Sequence, residues 1–104
     1  EDLASAFRCP LVHWDDRETV EAEIVVNTTS VGLEDPGVSP VSVEFWKRLR
    51  SDGREIVAFD LVYRPLMTKF LKDAAGAGVK IITGDRMLFH QGKAQFRIVT
   101  GKKI

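Results

Sequence analysis

Three clusters of polar side chains, each directly after a run of apolar residues, contain the residue types that could do chemistry. Their amides, hydroxyls, carboxylates and one phenol form directed hydrogen bonds, which suits the binding of a polyhydroxylated or carboxylated small molecule. The clusters lie at residues 27–30, at Asp60 with Tyr63, and at residues 83–85 with Met87 and Gln91. Ordinary capping and turn chemistry is the alternative explanation, because it places the same residue types after strands.

Nucleophilic and metal-dependent catalysis are not indicated by the remaining reactive residues. Neither Ser30 nor Cys9 has a base beside it in any motif. His13 and His90 are too far apart in sequence for a short metal-ligand spacing, and one cysteine cannot form an internal disulfide or a cysteine-rich zinc site. The sequence therefore predicts a binding site without a metal.

Strands and helices are predicted to alternate along the chain. Apolar runs predict strands at 11–14, 23–27, 55–60 and 80–84, and amphipathic stretches predict helices at 42–50, 68–77 and 86–100, with the end of another helix at 1–7. Three of the strand runs are apolar without alternation, which is typical of strands covered on both faces. The order predicts an α/β fold with a parallel sheet, whose ligands bind at the carboxyl ends of its strands. The polar clusters lie at those ends.

Length and composition limit the remaining possibilities. The chain has 104 residues, 44% of them hydrophobic and 29% charged, which is usual for one small globular domain or a piece of a larger one. Its 15 basic and 15 acidic residues cancel, so the charge pattern of a nucleic-acid or membrane-surface protein is missing. The longest apolar run, 56–59, is far below the roughly 18 residues of a membrane span, and no signal peptide opens the chain. A cytoplasmic protein is expected.

Three blocks of the sequence together resemble the shikimate dehydrogenases. Residues 27–33 read Asn-Thr-Thr-Ser-Val-Gly-Leu and resemble that family's Asn-Ala-Thr-x-x-Gly-Met segment. Residues 60–68 read Asp-Leu-Val-Tyr-Arg-Pro-Leu-Met-Thr, similar to its Asp-x-x-Tyr-x-Pro-x-x-Thr block. Residues 84–92 read Gly-Asp-Arg-Met-Leu-Phe-His-Gln-Gly, similar to its Gly-x-x-Met-Leu-x-x-Gln-[Gly/Ala] block. The order and separations also match, over about residues 1–101. Leu33 and Arg86 replace a frequent Met and a small residue.

The resemblance implies the NADP-dependent, reversible reduction of 3-dehydroshikimate to shikimate, a step of aromatic amino-acid (chorismate) biosynthesis. It implies that Tyr63 and Gln91 hydrogen-bond the substrate, and that Asp60 supports the turn after its strand. The residues that would line the nicotinamide and ribose side of the cofactor are Asn27, Thr28, Thr29, Leu61, Gly84, Met87 and Leu88.

The family's catalytic Lys and Asp belong to an N-terminal substrate domain to which nothing in this sequence corresponds. The glycine-rich turn for the pyrophosphate and the Asn-Arg-Thr segment for the 2′-phosphate also have no counterpart here. Residues 1–104 are therefore expected to be the C-terminal portion of an NADP-binding Rossmann domain, with strands 3–6 of a doubly wound 3-2-1-4-5-6 sheet that carries helices on both faces. This stretch holds no catalytic residue, and we expect it to need the N-terminal part of its parent, or a partner chain, for activity.

Three alternatives stay open at this point. A quinate/shikimate dehydrogenase that uses NAD is one; an acidic residue in the segment before residue 1 would favour NAD, and an Arg would favour NADP. A non-catalytic nucleotide-binding module would bind cofactor without turnover. A structural or interaction domain would keep the fold only.

Overall fold

A three-stranded parallel sheet forms the centre of the protein in the computed structural model, which describes residues 6–101. The strands are β1 (Ile24–Asn27), β2 (Val57–Asp60) and β3 (Lys80–Ile82). Their order in the sheet is β1-β2-β3, so each strand pairs with the next one along the chain, and both pairings are parallel. The predicted α/β fold with a parallel sheet is confirmed.

Three α-helices follow the three strands: α1 (Val43–Arg50), α2 (Lys69–Gly76) and α3 (Gly84–Thr100). The side chains of Ser42 and Thr68 cap α1 and α2 by accepting a hydrogen bond from the third backbone N–H of each helix. Helix α3 ends at Gly101, whose φ of 70° lies in the left-handed region that favours glycine. The predicted helices at 42–50, 68–77 and 86–100 are confirmed, with ends shifted by one or two residues.

The strand predicted at residues 11–14 is wrong. Residues 11–13 have no regular structure, and a 3₁₀ helix spans Trp14–Thr19. Local contacts favour that turn: His13 Nδ1 accepts a hydrogen bond from the Asp15 N–H, and the Arg17 guanidinium lies 4.2 Å from the centre of the Trp14 ring. The described sheet therefore has three strands instead of four. Of the helix predicted at 1–7, residues 6–7 are helical and residues 1–5 lie outside the described part.

Helices α1 and α2 cover one face of the sheet and form the core with it. Trp46 of α1 is fully buried between Phe45 and Phe70, and each pair of rings meets edge to face at 5.1 Å between centroids. Ala58, at the centre of β2, lies under these side chains and is also fully buried. The register places Val25 and Ile81 beside it.

The other face of the sheet carries an apolar row that the described residues leave open. Val26, Phe59 and Ile82 pair in register across the three strands. Val26 and Ile82 remain 43% and 42% exposed, although apolar runs of this kind predict strands covered on both faces. The helices within residues 6–101 thus cover one face of the sheet, and a cover for the second face, which the predicted doubly wound fold requires, is not among them.

A buried carboxylate joins three elements at the carboxyl end of the sheet. Asn27 and Asp60 end β1 and β2 in register, and Asn27 Nδ2 donates a hydrogen bond of 3.0 Å to Asp60 Oδ1. Asp60 also accepts hydrogen bonds from the Val62 N–H (2.9 Å) and from the hydroxyl of Thr68, the cap of α2 (2.7 Å). Asp60 therefore ties together β1, the turn after β2 and the start of α2, which agrees with the turn-supporting role that the family resemblance implies.

Gly84 lets α3 begin directly against that turn. A Cβ atom at this position would lie 2.7–2.8 Å from the backbone oxygens of Asp60, Leu61 and Val62. Real Cβ atoms essentially never approach backbone oxygens so closely, so any other residue would push α3 away from the end of β2.

Replacing Gly84 with alanine is expected to lower the free energy of unfolding by about 1–3 kcal/mol, because the added methyl group overpacks rigid backbone. Gly92→Ala is the matched control: it lies in the same helix, an added methyl group would meet no atom within 4 Å, and alanine has a better helix propensity by up to ~1 kcal/mol. Denaturant unfolding of the purified protein measures both. Equal stability of the wild type and Gly84→Ala would contradict the close approach.

Asp60→Asn is expected to lower the free energy of unfolding by about 1–3 kcal/mol. Three donors now share the two carboxylate oxygens of Asp60, whereas the amide of an asparagine has one acceptor oxygen. Asp52→Asn is the control, because Asp52 is an exposed carboxylate whose partner is Arg54, next to it in a turn. We expect the control to change stability little in the same denaturant titration. An Asp60→Asn variant as stable as Asp52→Asn would refute the role of the buried carboxylate.

Candidate functional site

A cleft of about 530 Å³ opens where β1 and β2 end, and we call it the strand-end cleft. Its size falls within the roughly 300–1,000 Å³ of small-molecule sites, and its position is where parallel α/β sheets bind ligands. Two segments line it, one after each strand: Thr28, Thr29, Ser30 and Leu33, and then Leu61, Val62, Tyr63 and Arg64.

A smaller pocket of about 200 Å³, here the helix pocket, adjoins this cleft where α3 begins. Leu61 and Tyr63 line both spaces, so the two spaces share one wall. The other residues that line the helix pocket are Gly84, Met87, Leu88 and Gln91. The structure thus brings together eight of the nine predicted site residues, from three separate segments of the chain. Met87 and Gln91 share one helix face, as their spacing of four predicts.

Asn27, the ninth predicted residue, lies beneath the cleft and lines neither space. Its side-chain oxygen accepts hydrogen bonds from the N–H and the hydroxyl of Thr29, at 3.1 and 2.6 Å. Its side-chain nitrogen donates to the carbonyl of Val31 and to Asp60, at 3.2 and 3.0 Å. An amide has two donor hydrogens and two acceptor lone pairs, so these four bonds use its whole capacity. Asn27 holds the segment after β1 in place.

The groups that face the two spaces are, in contrast, free to bind. Within residues 6–101, the structure gives no hydrogen-bond partner to the hydroxyls of Thr28, Ser30 and Tyr63, to the Gln91 amide or to the Arg64 guanidinium. In that same range, no Asp or Glu lines either space. The site therefore offers unpaired donors, one positive charge and an apolar wall.

Leu33, Val62 and Arg64 also line the strand-end cleft and were not predicted as members of the site, whereas Ser30 belongs to the predicted polar cluster at residues 27–30 but was given no role. Val62 and Arg64 follow soon after the end of β2, which was a signal that could have found them. A second cleft of about 510 Å³, on the open face of the sheet, was also not predicted; Phe59, Ile82, Arg86 and His90 are among its lining residues.

Neither a metal site nor a membrane span is present in the described part of the chain. Its side chains include no group of three or more His, Cys, Asp or Glu that could hold a metal ion. No helix within residues 6–101 has the length and the apolar character that crossing a membrane requires.

Comparison with known proteins finds relatives that are named shikimate dehydrogenase (NADP(+)). No family model matches the chain. Shikimate dehydrogenase (NADP(+)) of Thermus thermophilus is 48% identical over 81 residues, which are 78% of this chain and 28% of that protein. The protein of the same name from Maridesulfovibrio salexigens is 34% identical over 106 residues, covering all of this chain and 37% of that one.

Solved structures agree with these relatives. The crystal structure of shikimate 5-dehydrogenase from Thermus thermophilus, in complex with NADP(H) and shikimate, superposes with a TM-score of 0.79 at 40% identity, over 98% of this chain and 36% of that one. The chain thus spans about a third of the length of the proteins it matches. The chain belongs to the shikimate dehydrogenase family, and it corresponds to the C-terminal part of its members.

Proposed function

We propose that this chain is the C-terminal portion of the NADP-binding domain of a shikimate dehydrogenase. The whole protein would catalyse the NADP-dependent, reversible reduction of 3-dehydroshikimate to shikimate in the cytoplasm. One observation carries the proposal: Tyr63 and Gln91 line one pocket with Leu61, Gly84 and Met87, although they come from two distant segments. The names of the relatives, shikimate dehydrogenase (NADP(+)), support the same activity.

The residues present fit one end of a nicotinamide dinucleotide. Leu61 and Met87 offer an apolar wall for a flat ring, and Gly84 lets the start of α3 lie against the turn after β2 beside that wall. Thr28 and Thr29 line the adjoining cleft at the carboxyl end of β1. The hydroxyl of Thr28, which has no partner among the described residues, can meet a ribose there, whereas the Thr29 hydroxyl donates to Asn27 and holds the segment in place. When bound, NADP supplies the hydride acceptor or donor. The glycine-rich turn that holds a pyrophosphate has no match in this sequence, so we assign it to the rest of the protein.

Substrate orientation is the task of Tyr63 and Gln91 in this proposal. The phenol and the amide have no partner among the described residues and share the helix pocket, so they can hydrogen-bond hydroxyl or carboxylate oxygens of a ring held against Leu61 and Met87. Such bonds orient the reacting carbon toward the cofactor and so contribute by positioning. Leu88 closes the same pocket. Asn27 serves as a positioning residue, because its amide is fully used within the protein.

Proton transfer needs an acid, and the family resemblance places the catalytic Lys and Asp in the N-terminal substrate domain. Reduction of a ketone to an alcohol requires a general acid within hydrogen-bond reach of the new hydroxyl. Among the residues that the structure describes, no carboxylate and no lysine line the strand-end cleft or the helix pocket. We assign that step to the N-terminal domain, and we propose that residues 1–104 alone have no activity.

The open face of the sheet also supports the proposal that the site is shared between this chain and another part of the protein. The apolar row of Val26, Phe59 and Ile82 suits burial under further chain, and burying such a row would add stability at about 25 cal/mol per Å² of apolar surface removed from water. We propose that the N-terminal part of the parent, or a partner chain, completes the sheet and the site.

Tyr63→Phe and Gln91→Ala in the full-length protein are each expected to lower kcat/KM for shikimate by about 5- to 150-fold, since each leaves a substrate oxygen without its partner at a cost of about 1–3 kcal/mol. Steady-state kinetics with NADP measures this loss. Gln95→Ala is the matched control, because Gln95 lies one turn further along α3, is exposed and lines neither space.

We expect Gln95→Ala to keep wild-type kinetics. If Tyr63→Phe and Gln91→Ala also kept the wild-type KM and kcat, the assignment of the substrate site would be wrong. If the full-length wild type failed to oxidise shikimate with NADP, the proposed reaction itself would be wrong.

A further inference from the structure

We infer that Arg64 is an anion-binding residue of the strand-end cleft. The inference rests on the proposed function for the identity of the ligand, which would present either the phosphates of the dinucleotide or the carboxylate of the hydroxy-acid substrate. Both offer the same chemistry, an anionic oxygen that a guanidinium can bind through two parallel hydrogen bonds.

The first argument is the set of side chains around Arg64. Within residues 6–101, it is the one charged side chain among those that line the cleft, and it lies directly after Tyr63 in the turn that follows β2. Thr28 and Ser30 line the cleft from the segment after β1, and their hydroxyls have no partner among the described residues. A guanidinium and two free hydroxyls can all donate toward a ligand, which is the set that an oxyanion requires.

The second argument is the absence of any competing partner. Two other arginines of the protein show the contrast, because their charges are paired: Arg48 pairs with Glu21 at 2.6 Å, and Arg54 pairs with Asp52 at 3.0 Å. Arg64 forms no ion pair or hydrogen bond with any residue in the part of the chain that the structure describes. Its charge stays available, and no carboxylate of that part lines the cleft to repel an anion.

The third argument is that the turn after β2, which carries Arg64, is anchored to the sheet. Asp60 accepts a hydrogen bond from the Val62 N–H, so the backbone two residues before Arg64 is fixed to the buried end of β2. A side chain that starts from an anchored turn loses less freedom on binding than one on a loose loop. Arg64 can therefore reach the cleft from a defined origin.

The experiment uses the full-length protein and two substitutions, Arg64→Gln and Arg97→Gln. Arg97 is a matched control because, within residues 6–101, it is exposed and unpaired like Arg64 but lines neither the strand-end cleft nor the helix pocket. Calorimetric titration gives the Kd of each variant for NADP⁺, for shikimate and for the methyl ester of shikimate, which lacks the negative charge. Each titration is run at low and at high KCl concentration.

We expect Arg64→Gln to raise the Kd of one of the two anionic ligands by roughly 10- to 100-fold, which is the usual effect of losing a hydrogen bond between charged groups. The Kd of that ligand should also depend less on the salt concentration. Arg97→Gln should bind like the wild type. Weaker NADP⁺ binding alone would identify the phosphates. Weaker shikimate binding, with unchanged binding of the methyl ester, would identify the carboxylate.

Two results would overturn the inference. One is a Kd for every ligand within twofold of the Arg97→Gln control. The other is equal weakening of the charged and the esterified ligand, since that loss would not depend on charge. A wild-type protein that bound neither NADP⁺ nor shikimate would instead refute the proposed function, and the inference about Arg64 would fall with it.

Discussion

The hydrogen bond between Asn27 and Asp60 is the contact on which the site depends. Both residues are buried at the last register position of their strands, where a polar group without a partner would cost free energy. Asn27 uses its whole hydrogen-bonding capacity, half of it on the segment after β1 through Thr29. Asp60 also accepts bonds from the turn after β2 and from the cap of α2. The two walls of the strand-end cleft are thus anchored to one buried pair.

Helix α3 forms a third wall of the site, because its backbone closely approaches the turn after β2. Gly84 lets α3 start in contact with the carbonyl groups that follow β2, so the first turns of this helix stand beside Leu61 and Tyr63. The glycine contributes through the absence of a side chain, since it supplies no group that recognises a ligand. Gly84 is important to the site because it lets Met87 and Gln91 line the helix pocket.

Stability and function are unevenly distributed over this structure. The aromatic cluster around Trp46 and the two helices above it form a well-packed core on one face of the sheet. The opposite face and most of α3 stay exposed, with Phe89 and Val99 at 61% and 83%. Small domains bury a smaller share of their surface than large ones, so a sheet with one open apolar face is better suited to a part of a larger protein.

Much of the architecture could be read from the sequence because its signals are local. Solid apolar runs indicated the three strands, and the caps Ser42 and Thr68 marked where two helices begin. Motif spacing was enough to group the residues of the site, because the carboxyl ends of parallel strands meet at one edge. The strand predicted at residues 11–14 failed because a short apolar run does not reveal whether a neighbouring strand exists to pair with it.

Only the tertiary structure decided which of those residues form hydrogen bonds within the protein and which can bind a ligand. The sequence by itself determined the α/β order, the polar strand ends and the family resemblance, all of which depend on residue type and spacing. It could not show that Asn27 is saturated by its neighbours while Arg64 has no partner among the described residues, because hydrogen-bond partners are set by distances between segments far apart in the chain. Asn27 and Asp60 are 33 residues apart, and folding alone brings them to 3.0 Å.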